Sequence, residues 1–300
     1  MLKAKIGLGM ATNPFSSAKG FFRFVDLCEG SGVDSLWQTD RLASKVPFLE
    51  AMSTMAALAG ATDRLKFGMN AVVVSLRDPL LLAKQCATID YLSHGRLLPV
   101  FGVGGEQAPE WEATGRSPKG RGGRADEALE IMQRLWVEES VTFEGEHYRY
   151  REASISPRPV QQPLPCWIGG SSRAAIRRTA RLGTGWLAGI QTPEQVAPVI
   201  EAIRVASREA GRPVPEDHYG AGFPFRFGAP DDPLIERFVM ARRQGDGYAV
   251  GGDAAAILER IDAYRRVGVS KFVLIPIASG DDDLMEQSRR LIGEVLPQVC

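Results

Sequence analysis

The sequence predicts a single α/β domain over residues 1–300, folded as a (β/α)8 TIM barrel with an insertion around residues 138–165. Three observations support this prediction. Strand-sized apolar runs alternate with stretches of helical spacing along nearly the whole chain. An apolar strand, the turn Gly169-Gly170, a helix and a second strand at Trp186 follow in direct succession, which is a parallel βαβ pattern. The 300 residues suffice for one large barrel.

Strands and helices alternate regularly in the first half of the chain. Short apolar runs predict strands at residues 6–10, 35–38, 65–74 and 97–103. Helical spacing of apolar residues predicts helices at 21–31, 48–61, 79–92 and 126–136. Each predicted helix therefore separates two strands, as a parallel sheet requires.

The middle of the chain interrupts this alternation. Residues 141–150 resemble a small hairpin, and four prolines follow between residues 156 and 165. The alternation then resumes, with strands predicted at 166–168, 186–190, 221–227 and 271–275 and helices at 174–183, 193–210, 253–267 and 283–295. We therefore interpret residues 138–165 as an excursion between two units of one barrel.

About eight predicted strands favour a barrel over a doubly wound open sheet, which has fewer strands and usually an early dinucleotide-binding glycine fingerprint. The sequence contains no such fingerprint. In a (β/α)8 barrel the functional residues lie at the C-terminal ends of the strands. We therefore expect the site residues to follow the predicted strands.

The composition excludes several classes of partner. Lys plus Arg and Asp plus Glu each total 36, so no net charge favours nucleic acid or an anionic membrane. The longest apolar runs are strand-sized, and the N-terminus leads directly into a strand, so we expect a cytoplasmic protein. The four cysteines and three histidines are too scattered to predict a disulfide or a metal site.

A glycine- and serine-rich turn is the clearest chemical signal. Gly169 and Gly170 allow backbone N–H groups to approach an anion, Ser171 and Ser172 add donors, and the following helix contributes its positive N-terminus. These residues are typical of a phosphate site. They are equally compatible with a tight turn that needs glycine for its conformation and serine as a helix cap.

Several further motifs occur in a fixed order. They are residues 32–37 leading to Asp40, 65–70, 77–79, 92–97, 102–105, 111–115 and 157–159, followed by the turn after Ile168. Together they resemble the luciferase-like monooxygenase family, including its branch that uses the deazaflavin coenzyme F-420. The resemblance covers roughly residues 3–275 and depends on the order and spacing of the motifs.

The resemblance implies a barrel that binds F-420 or FMN at its C-terminal end. By that comparison Gly169, Gly170, Ser171 and Ser172 hold the cofactor phosphate. Asn70 and Ala71 occupy the position of a non-proline cis peptide that presses on the ring, although Asn70 is also an ordinary residue for a strand end. Gly104 and Gly105 let the backbone approach the ring edge, and Trp186 belongs to the rim.

The sequence departs from the family at its predicted catalytic position. Many deazaflavin enzymes of the family have Asp-His where this chain has Asp40-Arg41, and arginine cannot accept a proton at neutral pH. Glu106 matches a carboxylate of related dehydrogenases and is our candidate for proton transfer, the alternative being a solvated loop residue. Asp40 is predicted to bind the ring or orient Arg41, or else to cap the next segment.

Four functions remain open from the sequence. The first is hydride transfer between F-420 and a small organic substrate, with Arg41 stabilising negative charge. The second is an FMN-dependent monooxygenase that uses molecular oxygen and a partner flavin reductase. The third is a cofactor-free binding protein or a degenerate subunit of a heterodimer, and a barrel acting on a phosphosugar without flavin is a further alternative. The family resemblance also implies a homodimer.

Overall fold

The structure is a computed structural model that describes residues 3–10, 12–241 and 247–299. Ten of its strands form one parallel sheet, and two form a separate antiparallel hairpin. In chain order the strands are β1 (Lys5–Met10), β2 (Ser35–Gln38), β3 (Lys66–Met69), β4 (Val72–Val73), β5 (Val100–Gly102), β6 (Val141–Glu144), β7 (Arg149–Ala153), β8 (Trp167–Gly169), β9 (Gly185–Leu187), β10 (Tyr219–Phe227), β11 (Val250–Gly252) and β12 (Lys271–Pro276).

The parallel sheet closes into a barrel. Its spatial order is β3-β2-β1-β12-β10-β9-β8-β5-β4, with β11 added beside β10. Phe67 in β3 forms a parallel bridge with Leu97, which precedes β5, and the Leu98 N–H donates to the Phe67 carbonyl over 2.8 Å. Since β3 and β4 are successive segments of one barrel strand, the ring has eight positions. The predicted (β/α)8 fold is therefore confirmed.

Helices surround this barrel. They are α1 (Ala18–Glu29), α2 (Ala51–Ala61), α3 (Pro79–Leu92), α4 (Glu110–Ala113), α5 (Arg121–Val137), α6 (Arg173–Leu182), α7 (Pro193–Glu209), α8 (Pro233–Ala241), α9 (Ala254–Arg266), α10 (Asp281–Arg290) and α11 (Leu296–Val299). The sequence supplies clear start signals: Asp78 caps α3 with Pro79 at its first position. No helix within the described ranges is long and apolar enough to span a bilayer.

Large side chains fill the barrel interior. Trp37, Trp167, Leu187 and Val273 pack together there, and each such buried side chain contributes about 1.5–3 kcal/mol. Glycine makes room for them, because a methyl group at Gly185 would lie 2.4 Å from the Trp167 ring. The interior is thus a packed core, and the space for a ligand lies beyond the strand ends.

A buried ion pair lies at the N-terminal end of the barrel. The Lys271 ammonium contacts the Asp34 carboxylate, and only 7% of the Lys271 side chain is exposed. Burial lowers the pKa of Lys271 to about 8, although the Asp34 charge opposes this shift. The polar residues predicted as site residues lie at the opposite, C-terminal end.

The structure corrects the predicted elements in several places. The single strand predicted at 65–74 is divided into β3 and β4, and Asn70 and Ala71, whose peptide bond is cis, lie between them. The helix predicted at 126–136 begins at Arg121, whose carbonyl accepts a hydrogen bond from the Ser75 hydroxyl. The predicted elements did not include α4, α8 or β11.

The predicted insertion is confirmed as the hairpin β6–β7 and the proline-rich loop before β8. The Glu127 carboxylate on α5 fixes the hairpin turn by accepting backbone N–H bonds from Glu146, His147 and Tyr148 at 2.9–3.0 Å. The hairpin therefore packs on the outside of the barrel. That the whole chain is one domain stays a prediction.

Candidate active site

A cavity of about 190 Å³ opens at the C-terminal ends of β2, β4 and β5. The structure brings together here six of the residues predicted from the sequence. Its lining consists of Thr39, Asp40, Arg41, Asn70, Ala71, Val73, Leu76, Gly104, Gly105, Ala108, Glu110 and Trp111. Charged, amide and apolar groups thus face one small space, as in a binding site for an organic ligand.

Asp40 anchors the wall of this cavity. Its carboxylate accepts two hydrogen bonds from the Arg77 guanidinium, at 2.7 and 2.8 Å, and a third from the Val73 N–H at 3.0 Å. Only 2% of its side chain is exposed. The predicted contact with Arg41 is wrong, because the bidentate geometry of Arg77 satisfies this carboxylate instead.

Arg77 is the second half of this anchor. Burial alone would lower the pKa of Arg77, but the hydrogen bonds and charges of Asp40 and Glu50 raise it. The Arg77 guanidinium therefore stays charged, and its hydrogen bonds to Asp40 hold β4 against the end of β2. This makes Asp40 a positioning residue for β4 and for Ala71, which directly precedes that strand.

Arg41 pairs with a residue that the sequence analysis did not select. Its Nη1 lies 3.4 Å from Oε1 of Glu110, and the Arg41 side chain is about half exposed. Glu110 is buried, with 5% of its side chain exposed. The motif at residues 111–115 begins directly after it, so the signal for this position was present but was assigned to its neighbours.

Ala71 lines the cavity directly before β4. The peptide bond between Asn70 and Ala71 is cis, at the position where the resemblance places one. A methyl group at Gly102 or Gly169 would lie only 3.4 or 3.5 Å from the Ala71 side chain. Ala71 therefore fills the space above two glycine-bearing strand ends.

Gly104 shapes the opposite wall. Its φ of +73° is a conformation that favours glycine, and a methyl group there would lie 2.9 Å from Val73 Cγ1. The Trp111 indole donates to the Gly105 carbonyl over 2.7 Å and so fixes the loop. Backbone rather than side chains consequently forms this side of the cavity.

The predicted phosphate turn leads into the N-terminus of α6. Gly170 has a φ of +101°, and Ser172 caps the helix by accepting a hydrogen bond from the Ala175 N–H. Ser171 is exposed. The first N–H groups of a helix have no partner within it, so this turn presents donors and positive potential.

Trp186 supports this turn from below. Its indole donates to the Gly170 carbonyl over 2.8 Å, and its side chain has no exposed surface. We predicted a rim contact for Trp186. The structure instead places it in the core, where it holds Gly170 in position.

Glu106 lies outside the cavity lining. Its side chain is 72% exposed, and its carboxylate is 3.5 Å from Arg121 on α5. The structure therefore does not bring Glu106 together with Arg41. Among the parts of the chain that the structure describes, no group of acidic, histidine or cysteine side chains could hold a metal ion.

The sequence matches a known protein family over most of its length. The model of the family described as luciferase-like monooxygenase matches residues 2–273. The chain belongs to the luciferase-like monooxygenase family. The resemblance deduced from the motifs is thereby confirmed.

Individual relatives in this family use two cofactors, according to their names. An F-420-dependent glucose-6-phosphate dehydrogenase of Intrasporangium calvum is 34% identical over 172 residues, which cover 53% of this chain and 50% of that protein. An FMNH2-dependent dimethylsulfone monooxygenase of Pseudomonas putida is 30% identical over 169 residues, covering 55% of this chain and 46% of that protein. The chain thus spans about half the length of these curated relatives.

The solved structures confirm the fold. An F-420-dependent secondary alcohol dehydrogenase, solved with an F-420–acetone adduct, superposes with a TM-score of 0.85 at 18% identity and covers 100% of both chains. At this level of identity the likeness concerns the luciferase-like barrel alone.

Proposed function

We propose that this protein is an oxidoreductase that transfers hydride between coenzyme F-420 and a small organic substrate. One observation carries the proposal. Ala71, which lines the cavity beside Arg41, lies against Gly169 at the end of β8, directly before the donor-rich N-terminus of α6. A flat ring bearing a phosphate tail matches this combination of an open floor and an anion-binding helix end.

The residues present fit such a group. Glycine at positions 104 and 169 keeps the floor clear of side chains, since a Cβ at either position would contact Val73 or Ala71. Gly170, Ser171 and Ser172 would hold the phosphate at the helix end. Asn70 and Ala71, with Gly104 and Gly105 opposite, would hold the ring.

The protein contributes orientation and electrostatics to the reaction. When bound, the deazaflavin supplies the carbon that accepts or donates hydride. Arg41 donates a hydrogen bond to the substrate oxygen, and Asp40 with Arg77 keeps β4 in place. Val73, Leu76 and Trp111 exclude water from the reacting atoms.

The named relatives support both cofactors. The relative from Intrasporangium calvum supports F-420. The relative from Pseudomonas putida supports the alternative function, an FMN-dependent monooxygenase. Arg41, which stands where many deazaflavin enzymes have histidine, also supports this alternative because it cannot accept a proton. The alternative would require a reductase partner to supply reduced flavin.

Titration of the purified full chain separates these functions. We expect F-420 to bind with a Kd on the order of micromolar, measured by its fluorescence, and FMN to bind more weakly. Binding of FMN without binding of F-420 would establish the monooxygenase alternative. If neither binds, the protein is a cofactor-free binding protein or a degenerate subunit.

The predicted homodimer and cytoplasmic location form part of this proposal. The exposed face of α2 carries the small residues Ala56, Ala57, Gly60 and Ala61, which would allow close packing against a second copy. Sedimentation of the purified protein measures its mass. A species of twice the chain mass would support the homodimer, and a single-chain mass would contradict it.

A further inference from the structure

We propose that Glu110 is the carboxylate that takes up the proton of a substrate hydroxyl group, while Arg41 holds the same oxygen. This inference rests on the proposed function and assigns a proton acceptor to it. It also names the substrate class, which is a small, largely apolar alcohol or the corresponding carbonyl compound. Glu106, which was predicted for the proton transfer, has no part in it.

The first observation is an unpartnered buried oxygen. Oε2 of Glu110 is buried and has no hydrogen-bond partner among the described residues. The other oxygen, Oε1, has Arg41 at the long distance of 3.4 Å. Because Glu110 also lines the cavity, the group that would complete its hydrogen bonds must enter from there.

The energetic cost of burying Oε2 of Glu110 without a partner indicates that a ligand binds there. Leaving a buried polar atom without a partner costs about 1–3 kcal/mol, and more when the group is charged. Such atoms are rare in folded proteins and require an explanation. Ala108 and Trp111 line the same cavity, and the single side-chain donor of Trp111 is already bound to the Gly105 carbonyl. A donor on a ligand is therefore the simplest explanation of the unpartnered oxygen.

The pair also selects the chemistry of the ligand. A carboxylate with a free acceptor repels an anion, and the nearby Arg41 charge repels a cation. A hydroxyl group suits both, because it donates to Glu110 and accepts from Arg41. Ala71, Val73 and Leu76 form the adjoining wall, so the remainder of the ligand must be small and apolar.

The proposed step is a two-electron oxidation of the alcohol. The alcohol carbon loses its hydrogen with the bonding electron pair to the deazaflavin ring, and the carbon is oxidised to a carbonyl. The O–H electron pair becomes the second C–O bond, and the hydroxyl proton passes to Oε2 of Glu110. The ring is reduced by two electrons, and Arg41 stabilises the negative charge that develops on the oxygen.

A binding experiment on the cofactor-free full chain tests the pair directly. The carboxyl carbons of all glutamates are labelled with ¹³C, and the Glu110 resonance is assigned by its loss in Glu110→Gln. Cyclohexanol should shift this resonance, whereas the resonance of Glu112, an exposed residue of the same short helix, should not move. A Glu110 resonance that does not respond to cyclohexanol would overturn the proposal.

A kinetic experiment then tests proton transfer. Wild type, Glu110→Gln and the matched control Glu112→Gln are loaded with F-420 and mixed with cyclohexanol in a single turnover. We expect Glu110→Gln to lose at least about 100-fold in the hydride-transfer rate, with the F-420 Kd unchanged. Glu112→Gln should stay within about twofold of wild type.

The outcomes separate this inference from the proposed function. If wild type does not bind F-420, the proposed function fails, while the glutamate resonance still decides whether Glu110 binds a hydroxyl. If wild type binds F-420 but Glu110→Gln reacts as fast as wild type, Glu110 is not the acceptor. If wild type binds F-420 but no small apolar alcohol reduces the bound F-420, the proposed substrate class is wrong. A larger loss in Glu106→Gln than in Glu110→Gln would also overturn the assignment.

Discussion

At the scale of single residues, the most consequential contact is the one between Asp40 and Arg77. Both side chains are nearly buried, with 2% and 10% exposed, and their two hydrogen bonds are short. The same carboxylate holds the Val73 N–H. One acidic side chain thus determines where the strand end beside the cavity lies.

Replacing Asp40 with asparagine should destabilise the protein by about 3–5 kcal/mol, because Arg77 would remain buried without its counter-charge. Unfolding in denaturant measures this change. Asp282→Asn is the matched control, since its ion pair with Arg23 is exposed and should contribute less than about 1 kcal/mol. A loss below about 1 kcal/mol in Asp40→Asn would contradict the structural role.

The sequence predicted the place of Asp40 but not its partner. A residue at a strand end is predictable from the alternation of elements, so Asp40, Arg41 and Asn70 were expected near each other. The choice of Arg77 over Arg41 depends on side-chain geometry that no spacing rule contains. Glu110 directly precedes the motif at residues 111–115, but the sequence does not show that its side chain is buried with an unpartnered oxygen.

At the scale of structural elements, the turn before α6 is central to the proposal. Gly170 has a φ of +101°, and Trp186 and Ser172 hold the two ends of the turn. The sequence predicted this turn and its glycines correctly. It could not show that Trp186 lies underneath the turn rather than at its rim.

Gly170→Ala should weaken F-420 binding about tenfold or more, because an L side chain at this φ costs about 1–3 kcal/mol and shifts the N–H groups of the turn. Titration with F-420 measures the change. Gly189→Ala is the control, since no atom within 4 Å would meet the added methyl group. An unchanged F-420 Kd in Gly170→Ala would exclude this turn as the phosphate site.

A second element-scale feature joins α1 to the turn before β3. The Glu29 carboxylate accepts N–H bonds from Asp63, Arg64 and Leu65 at 2.7–2.9 Å. Burial alone would raise the pKa of Glu29, but these hydrogen bonds and the Arg64 charge lower it. The ionised form is therefore the one that stabilises the fold.

This stabilisation should depend on pH with a definite sign. A lowered native pKa stabilises the protein above the unfolded-state value, about 4.3, and the contribution disappears as the pH falls through the native value. Glu29→Gln should cost about 1–3 kcal/mol at pH 7 and progressively less as the pH is lowered below about 4. The exposed Glu112→Gln should show no such pattern, and a deficit of Glu29→Gln that does not shrink as the pH is lowered would contradict the account.

The divided strand β3–β4 marks a limit of sequence-based prediction for elements. Residues 65–74 are mostly apolar, which predicts one strand, but Asn70 and Ala71 belong to neither β3 nor β4 and divide it. The strand β11 was missed because two of its three residues are glycine, which is disfavoured in strands, and the short helix α8 was also missed. Local patterns are reliable only where propensity and tertiary contacts agree.

At the scale of the whole molecule, the two ends of the barrel are chemically different. The N-terminal end is closed by the buried pair of Lys271 and Asp34. The C-terminal end carries the cavity, Arg41, Glu110 and the N-terminus of α6. The alternation of strands and helices predicted this polarity, because a parallel barrel collects all its C-terminal strand ends at one side.

A crystal structure of the full chain with F-420 would show where the cofactor binds. We expect the deazaflavin ring against Ala71 and Gly104, with its phosphate within hydrogen-bond distance of the backbone between Gly170 and Arg173. A ring bound elsewhere on the barrel, or a phosphate away from α6, would contradict the account.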